Sequence, residues 1–237
     1  MMVLQISDLD VVLGGFHILD HVNLHVDEGE LVVVVGANGA GKSTLLRTVS
    51  GLNKASNGRI EFMGKNLVNQ QPHLIAQQAL CMVPEGRQLF PEMTARENLL
   101  LGAYHYHRDQ KRVQRNLERV FELFPVVEKN QNRIASTFSG GEQQMISIGR
   151  GLMSEPKLMM IDELSLGLAP LVIEQLFKTI KQLNTIGISI LLIEQNARQA
   201  LKIADRAYVL ENGRIMLEGT GEEMLNNEQV KQAYLGL

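Results

Sequence analysis

The chain has 237 residues, 45% of them hydrophobic and 5% aromatic with no tryptophan, and a formal net charge of -3 with both signs interspersed. That suffices for one α/β domain, or one domain with a helical insert, and it offers neither the basic face nor the aromatic platform of a nucleic-acid binder. Cys81 is the single cysteine, which excludes an internal disulfide and a multi-thiolate metal site. No apolar run approaches the roughly 20 residues that cross a bilayer and no signal-peptide pattern is visible, so the chain is expected in the cytosol.

Residues 3–9 and 21–26 alternate or cluster apolar side chains between turn signals, which predicts two strands. A turn at 27–30 leads into Leu31-Val32-Val33-Val34-Val35, a run that predicts a buried parallel strand, and a helix is predicted over 43–50. A short strand bounded by glycines follows at 58–64, then a polar helix or loop to about Gln78. A buried strand over 79–83 ends at Pro84, where the chain must leave the sheet. Thr94 followed by Glu97 forms a capping box, and residues 110–124 repeat apolar positions at helical spacing. The helical stretch from about 87 to 153 interrupts an otherwise strand-rich chain and reads as a subdomain inserted into one domain covering 1–237. Strands are then predicted at 158–161 and 188–193 and helices at 170–183 and 198–203. Two further strands flank the turn Glu211-Asn212-Gly213, and the last stretch is polar and helical. Strands alternating with helices predict an α/β fold with a largely parallel sheet.

Chemistry concentrates at three places. Gly36-Ala37-Asn38-Gly39-Ala40-Gly41-Lys42-Ser43-Thr44 fits G-x-x-x-x-G-K-[ST] between a strand and a helix. Glycines let successive N–H groups point inward at phosphate oxygens, and the helix end adds its positive pole. Lys42 would reach the terminal phosphates, and the Ser43 hydroxyl would join the shell of Mg²⁺. Asp162 closes an apolar strand, where a carboxylate can organise that cation, and Glu163 beside it can polarise an attacking water. The plain alternative for this pair is a solvated acidic strand end. Ser139-Gly140-Gly141-Glu142 opens a helix and forms a second anion-binding end. One phosphate chain does not need two cradles, so the second predicts a sandwich dimer in which it meets nucleotide held by another subunit.

The set GANGAGKST, FSGGE, LMMIDE and SLGLAP, in this order, resembles the ATP-binding subunits of ATP-binding cassette (ABC) transporters over essentially the whole chain. VPEGRQLFPEMTARENLLLGAY, SLGLAP and LIEQN together resemble one of the two ATPase subunits of branched-chain amino-acid uptake systems; closely similar subunits serve urea and short-chain amides. The resemblance implies a P-loop NTPase core of ABC type with an antiparallel β subdomain and an inserted helical subdomain. It implies ATP and Mg²⁺ as cofactors, with Lys42, Ser43 and Thr44 on phosphates and metal, Asp162 as the metal carboxylate and Glu163 as general base. Ser139, Gly140 and Gly141 would close over the partner's ATP.

The implied partners are a second cassette subunit in a heterodimer (or a homodimer of the isolated chain), integral-membrane permease subunits and, indirectly, an extracytoplasmic solute-binding protein. No nucleic acid is implied. The permease would be met by the helical insert with residues 85–92 at its entry, placing the chain peripherally on the cytoplasmic face of the inner (plasma) membrane. Three positions depart from the family pattern: Glu85 stands where a glutamine senses Mg²⁺ and water, Gln195 where a histidine touches the γ-phosphate, and Leu168 in place of the aspartate expected in the loop after Glu163. Gln195 can donate a hydrogen bond but carries no charge. Phe16 is the nearest ring for an adenine platform and either stacks there or packs. The six histidines show no companion ligands, and Arg87 with the stretch around it reads as ordinary surface or, preferably, a permease contact. The other classes weighed are a non-transport cassette ATPase and a silent ATP-binding regulatory subunit; intact Lys42, Asp162 and Glu163 argue against the latter.

Overall fold

A computed structural model describes residues 1–235, with side chains as far as Tyr234. In chain order the elements are β1 (Met2–Leu13), β2 (Phe16–Asp27), β3 (Leu31–Val35), α1 (Lys42–Val49), β4 (Asn57–Phe62), β5 (Lys65–Asn66), α2 (Pro72–Ala76) and β6 (Leu80–Val83). Four helices follow: α3 (Ala95–Leu101), α4 (Gln110–Leu123), α5 (Pro125–Lys129) and α6 (Gly140–Leu152). The chain then runs β7 (Leu158–Asp162), α7 (Pro170–Thr185), β8 (Ser189–Glu194), α8 (Ala197–Leu201), β9 (Arg206–Glu211), β10 (Arg214–Gly219), α9 (Gly221–Asn226) and α10 (Glu228–Val230).

Two sheets result. One is antiparallel, in the order β2-β1-β4-β5. The other runs β10-β9-β3-β8-β7-β6, parallel throughout except for β10 on its edge. Its inner strands are buried on both faces, and alternation along each strand divides the core in two. Leu31, Val33, Val35, Met159, Ile161, Ile190 and Leu192 face the helices, while Val32, Val34, Met160, Leu191 and Ile193 face the antiparallel sheet. This is an α/β core with an antiparallel sheet on one face and a helical subdomain on the other. No helix among the described residues is long and apolar enough to cross a membrane.

The helical subdomain has no core to itself. Leu99, Val120, Phe121, Phe124, Ile146 and Ile148 belong to the same cluster as Val83, Ile161 and Leu192 of the sheet. Gly151 of α6 makes this possible, since a Cβ there would stand 2.9 Å from Cys81 Sγ and 3.2 Å from Val83 Cγ2 of β6. The capping box of α3 is present as expected, with Thr94 accepting from Glu97 N–H and the Glu97 carboxylate accepting from Thr94 N–H.

The first two strands run well past the expected limits. Polar residues hid the continuation, and irregular pairing accommodates them. Leu9 pairs Val22 and Val11 pairs Leu19, so Asp10 alone faces both Asp20 and His21, with His21 at φ 50°. The bulge therefore corrects the reading that no histidine has companions: His21 Nδ1 lies 2.7 Å from Asp20 Oδ1 and 3.3 Å from Asp10 Oδ1. Arg214 engages the other oxygen of Asp20. At the other end of the chain the Asn212-Gly213 hairpin is present, with φ 46° and 80° as a tight primed turn demands.

Candidate functional site

The phosphate loop leaves the C-terminal end of β3, the central position of the parallel sheet, where a strand hands its chain to a helix. Two of its glycines are fixed by the backbone around them. A Cβ on Gly36 would stand 2.2 Å from Leu210 O, and one on Gly41 would stand 2.8 Å from Leu19 Cδ2 and 2.9 Å from Ile18 O. Gly41 also sits at φ 107°, a backbone that side chains rarely tolerate. The first helical bond runs from Leu45 N–H to Gly41 O at 2.9 Å, so the N–H groups of Lys42, Ser43 and Thr44 lie ahead of it at the positive end of α1. No acidic side chain occupies that first turn.

Lys42 is 4% exposed and folds back over the loop, donating to Gly36 O at 2.9 Å and to Ala37 O at 3.1 Å. Its ammonium lies 3.7 Å from Glu163 Oε1. Glu163 follows β7 at φ 49°, unusual for a residue with a side chain, and its N–H donates to Ile193 O at 3.0 Å. The strained turn swings the carboxylate off the line of the strand and toward the loop lysine.

Ser43 and Asp162, which are 119 positions apart, meet directly: Ser43 Oγ donates to Asp162 Oδ1 at 3.0 Å. Asp162 is 1% exposed and its Oδ2 is buried without a hydrogen-bond partner. Burial raises its pKa, with further upward pushes from the Glu163 and Glu85 carboxylates and partial relief from the Ser43 hydroxyl. Glu85 is half-buried just after β6. A hydroxyl, an orphaned buried carboxylate oxygen and a neighbouring carboxylate form an all-oxygen set, which fits a hard divalent cation.

Gln195 follows β8 with its side chain exposed. Phe16 opens β2 at the hairpin tip, paired with Leu13 and 74% exposed, so it does not pack into this chain's core. Two and three residues further along the same strand, Ile18 and Leu19 lie against Gly41 of the phosphate loop.

The second cradle is displaced from the first. Ser139 caps α6 and its exposed hydroxyl is 2.8 Å from Glu142 Oε2, whose carboxylate also accepts from Ser139 N–H at 2.8 Å. Glu142 thus closes a capping box within the chain. Gly141 has an internal reason to be glycine, because a Cβ there would stand 2.4 Å from Val172 Cγ1 of α7. The cradle does not converge with residues 36–44 within one chain in the way that Ser43 and Asp162 do.

Arg87, read from the sequence as ordinary surface or a permease contact, is also engaged within the chain. Arg87 and Gln88 both have positive φ, at 66° and 43°, and this turn folds the segment onto α6. The Arg87 guanidinium reaches Gln143 Oε1 at 3.4 Å, while its carbonyl accepts from Ser147 Oγ at 2.9 Å and Arg150 Nη2 at 3.1 Å. Sequence reasoning also passed over Glu194. This carboxylate is wholly buried at the end of β8, and burial raises its pKa although Ser165 and Asn196 donate to it. The signal was available: Ile190-Leu191-Leu192-Ile193-Glu194 repeats the apolar-run-then-acid pattern that singled out Asp162.

A family model described as ABC transporter matches residues 19–165. The high-affinity branched-chain amino acid transport ATP-binding protein BraG of Pseudomonas aeruginosa is 47% identical over 98% of this chain and 99% of its own length. The probable branched-chain amino acid transport ATP-binding protein LivF of Archaeoglobus fulgidus is 33% identical over 93% of each chain. Among solved structures, an ATP-binding cassette of an ABC transporter in its ADP conformation superposes with a TM-score of 0.89 at 30% identity, covering 100% of both chains. Phosphate loop, sheet order and similarity along the whole length agree, and the chain belongs to the ABC transporter family as one of its ATP-binding, ATP-hydrolysing subunits.

Proposed function

We propose that this subunit powers uptake of branched-chain amino acids through a membrane permease, with Glu163 as the general base of ATP hydrolysis. The observation that carries the chemical reading is the meeting of Lys42, Glu163, Ser43 and Asp162 at the C-terminal ends of β3 and β7. Residues 36–44 bind the triphosphate. Lys42 exchanges its two loop carbonyls for phosphate oxygens, which are better acceptors for an ammonium. Ser43, Asp162 and Glu85 hold Mg²⁺, which when bound supplies positive charge to the phosphate oxygens. Glu163 takes the proton of the attacking water, Gln195 donates a hydrogen bond to the γ-phosphate, and Phe16 stacks on adenine.

The substrate reading is supported by the two branched-chain amino-acid transport relatives. A second cassette completes the site, its Ser139–Gly141 equivalents closing on ATP held here while residues 139–142 of this chain, with Glu142 fixing the cap, serve the partner's ATP. Residues 87–153 form the insert that meets the permease at the cytoplasmic face of the membrane, and a solute-binding protein acts from the other side. A surface suited to that contact runs beside the 85–90 turn: Leu52 is 61%, Leu74 44%, Phe90 53% and Leu101 39% exposed. Cavities of about 290 and 370 Å³ open there, the first reaching Asp162.

Glu163→Gln tests the assignment. A lost general base costs about 10² to 10⁴ in rate, so ATP turnover should collapse while ATP binding persists. Turnover at the wild-type rate would sink the proposal.

A further inference from the structure

We propose that Glu194 is a positioning residue that ties the loop carrying Glu163 to the strand end carrying Gln195, using Ser165 as the link. The inference rests on the reading of Glu163 and Gln195 as groups acting on ATP.

β8 is buried along its whole length and otherwise carries Ser189 and four apolar residues before Glu194. An apolar side chain would satisfy this position as well as it satisfies the four before it. A carboxylate here must be hydrogen-bonded to be tolerated. No Lys, Arg or His among the described residues pairs with it. Its partners are instead donors on two loops. Ser165 supplies two, its N–H to Oε1 at 2.9 Å and its hydroxyl to Oε2 at 2.7 Å, and Asn196 N–H donates to Oε2 at 3.3 Å.

Glu163 is thereby bracketed. On one side its own N–H is held by Ile193 O at 3.0 Å. Two residues later the chain is held again, by Glu194 through Ser165. Between these anchors Glu163 sits at φ 49°, a conformation that persists when its surroundings over-determine it. The same carboxylate grips the Asn196 N–H, immediately after Gln195. One buried group therefore sets the spacing between the residue that would activate water and the residue that would touch the γ-phosphate. A shift of one loop is transmitted to the other through side chains 29 positions apart in sequence.

The test uses the full chain, with steady-state ATP turnover and amide hydrogen exchange measured together. Ser165→Ala removes one hydroxyl from a half-buried loop, so the protein should still fold; Glu194→Ala removes the tether itself. Misplacing a reacting group by about 1 Å can cost about 100-fold, so Ser165→Ala should lower kcat several-fold and Glu194→Ala more, with KM for ATP moving much less. Exchange over residues 195–197 should rise in Ser165→Ala although the substitution lies on the other loop. Ser165→Ala should also add nothing to Glu194→Ala, as expected of two groups in one linkage.

A change confined to KM, exchange altered only in the mutated loop, or additive losses would each overturn the tether. Glu163→Gln run in parallel separates the two readings. If it hydrolyses ATP like the wild type, the base assignment falls, and the exchange data alone then decide the tether: linked loops uphold it, independent loops reject it.

Discussion

The two phosphate cradles of this protein are built from similar residues and finished to different degrees. Around residues 36–44 the walls belong to the same chain: Leu210 O closes on Gly36, Leu19 on Gly41, and Lys42 is already seated on two carbonyls. Around residues 139–142 the hydroxyl is exposed and turned onto its own cap, and the close packing lies behind the cradle, where Gly141 meets Val172. One cradle is walled by its own chain. The other keeps its hydroxyl at the surface, which is the form expected of half a composite site.

Four substitutions break or sharpen this contrast. Lys42→Ala strips the self-contained cradle of its buried cation, and losing such preorganised charge should cost about 100-fold or more in turnover, read alongside nucleotide affinity by fluorescence titration. Ser139→Arg should separate the two cradles. The chain's own ATP affinity should stay within about twofold while turnover falls about tenfold or more, since an oversized cation blocks the docked surface without touching the phosphate loop. Equal loss of affinity and turnover would mean the cradles are not independent.

Gly141→Ala probes the wall behind the outward cradle. Its Cβ meets Val172 Cγ1 at 2.4 Å on a packed helix, whereas a Cβ on Gly140 would meet the ends of flexible side chains, Arg87 Nη2 at 3.0 Å and Leu168 Cδ2 at 3.2 Å. Overpacking of the first kind costs about 1–3 kcal/mol, so thermal denaturation should rank Gly141→Ala clearly below Gly140→Ala.

The smallest effect concerns the seam between α4 of the insert and the turn before β7. Arg112 Nε donates to Glu155 Oε2 at 3.0 Å and Asn116 to Oε1 at 2.6 Å, and the Arg112 interaction, ahead of Asn116, holds the Glu155 pKa below its ordinary 4.5. A depressed carboxylate stabilises the fold above its ordinary value and loses that contribution as pH falls through its folded value. Arg112 is 40% exposed, so screening limits the pair to about 1 kcal/mol. Glu155→Gln should therefore melt slightly lower than wild type at pH 7, with the gap closing below pH 4.5.

Much of the fold was legible because it is written locally. Five apolar residues from Leu31 to Val35 are a strand buried on both faces, and Asn212-Gly213 supplies the two positive φ values its hairpin needs. The phosphate loop was legible for the same reason, its glycines, lysine and flanking elements being contiguous. The limits of β1 and β2 were not, since a bulge that sets Asp10 against Asp20 and His21 has no periodic signature. Nor was the direction of Arg87, decided by two positive φ values and by carbonyls that α6 happens to reach.

What the amino-acid sequence determined by itself is the set of elements and the chemistry available at each strand end, because hydrophobic period, capping and loop glycines act over a few residues. Tertiary structure decided which of those ends share a site. Ser43 finds Asp162 across 119 positions and Glu194 finds Ser165 across 29. Both meetings depend on the order β3-β8-β7 in the sheet, and that order is fixed by burial of whole faces rather than by any local pattern. The sheet likewise drew the helical insert into its own core, with α6 close enough through Gly151 to share it.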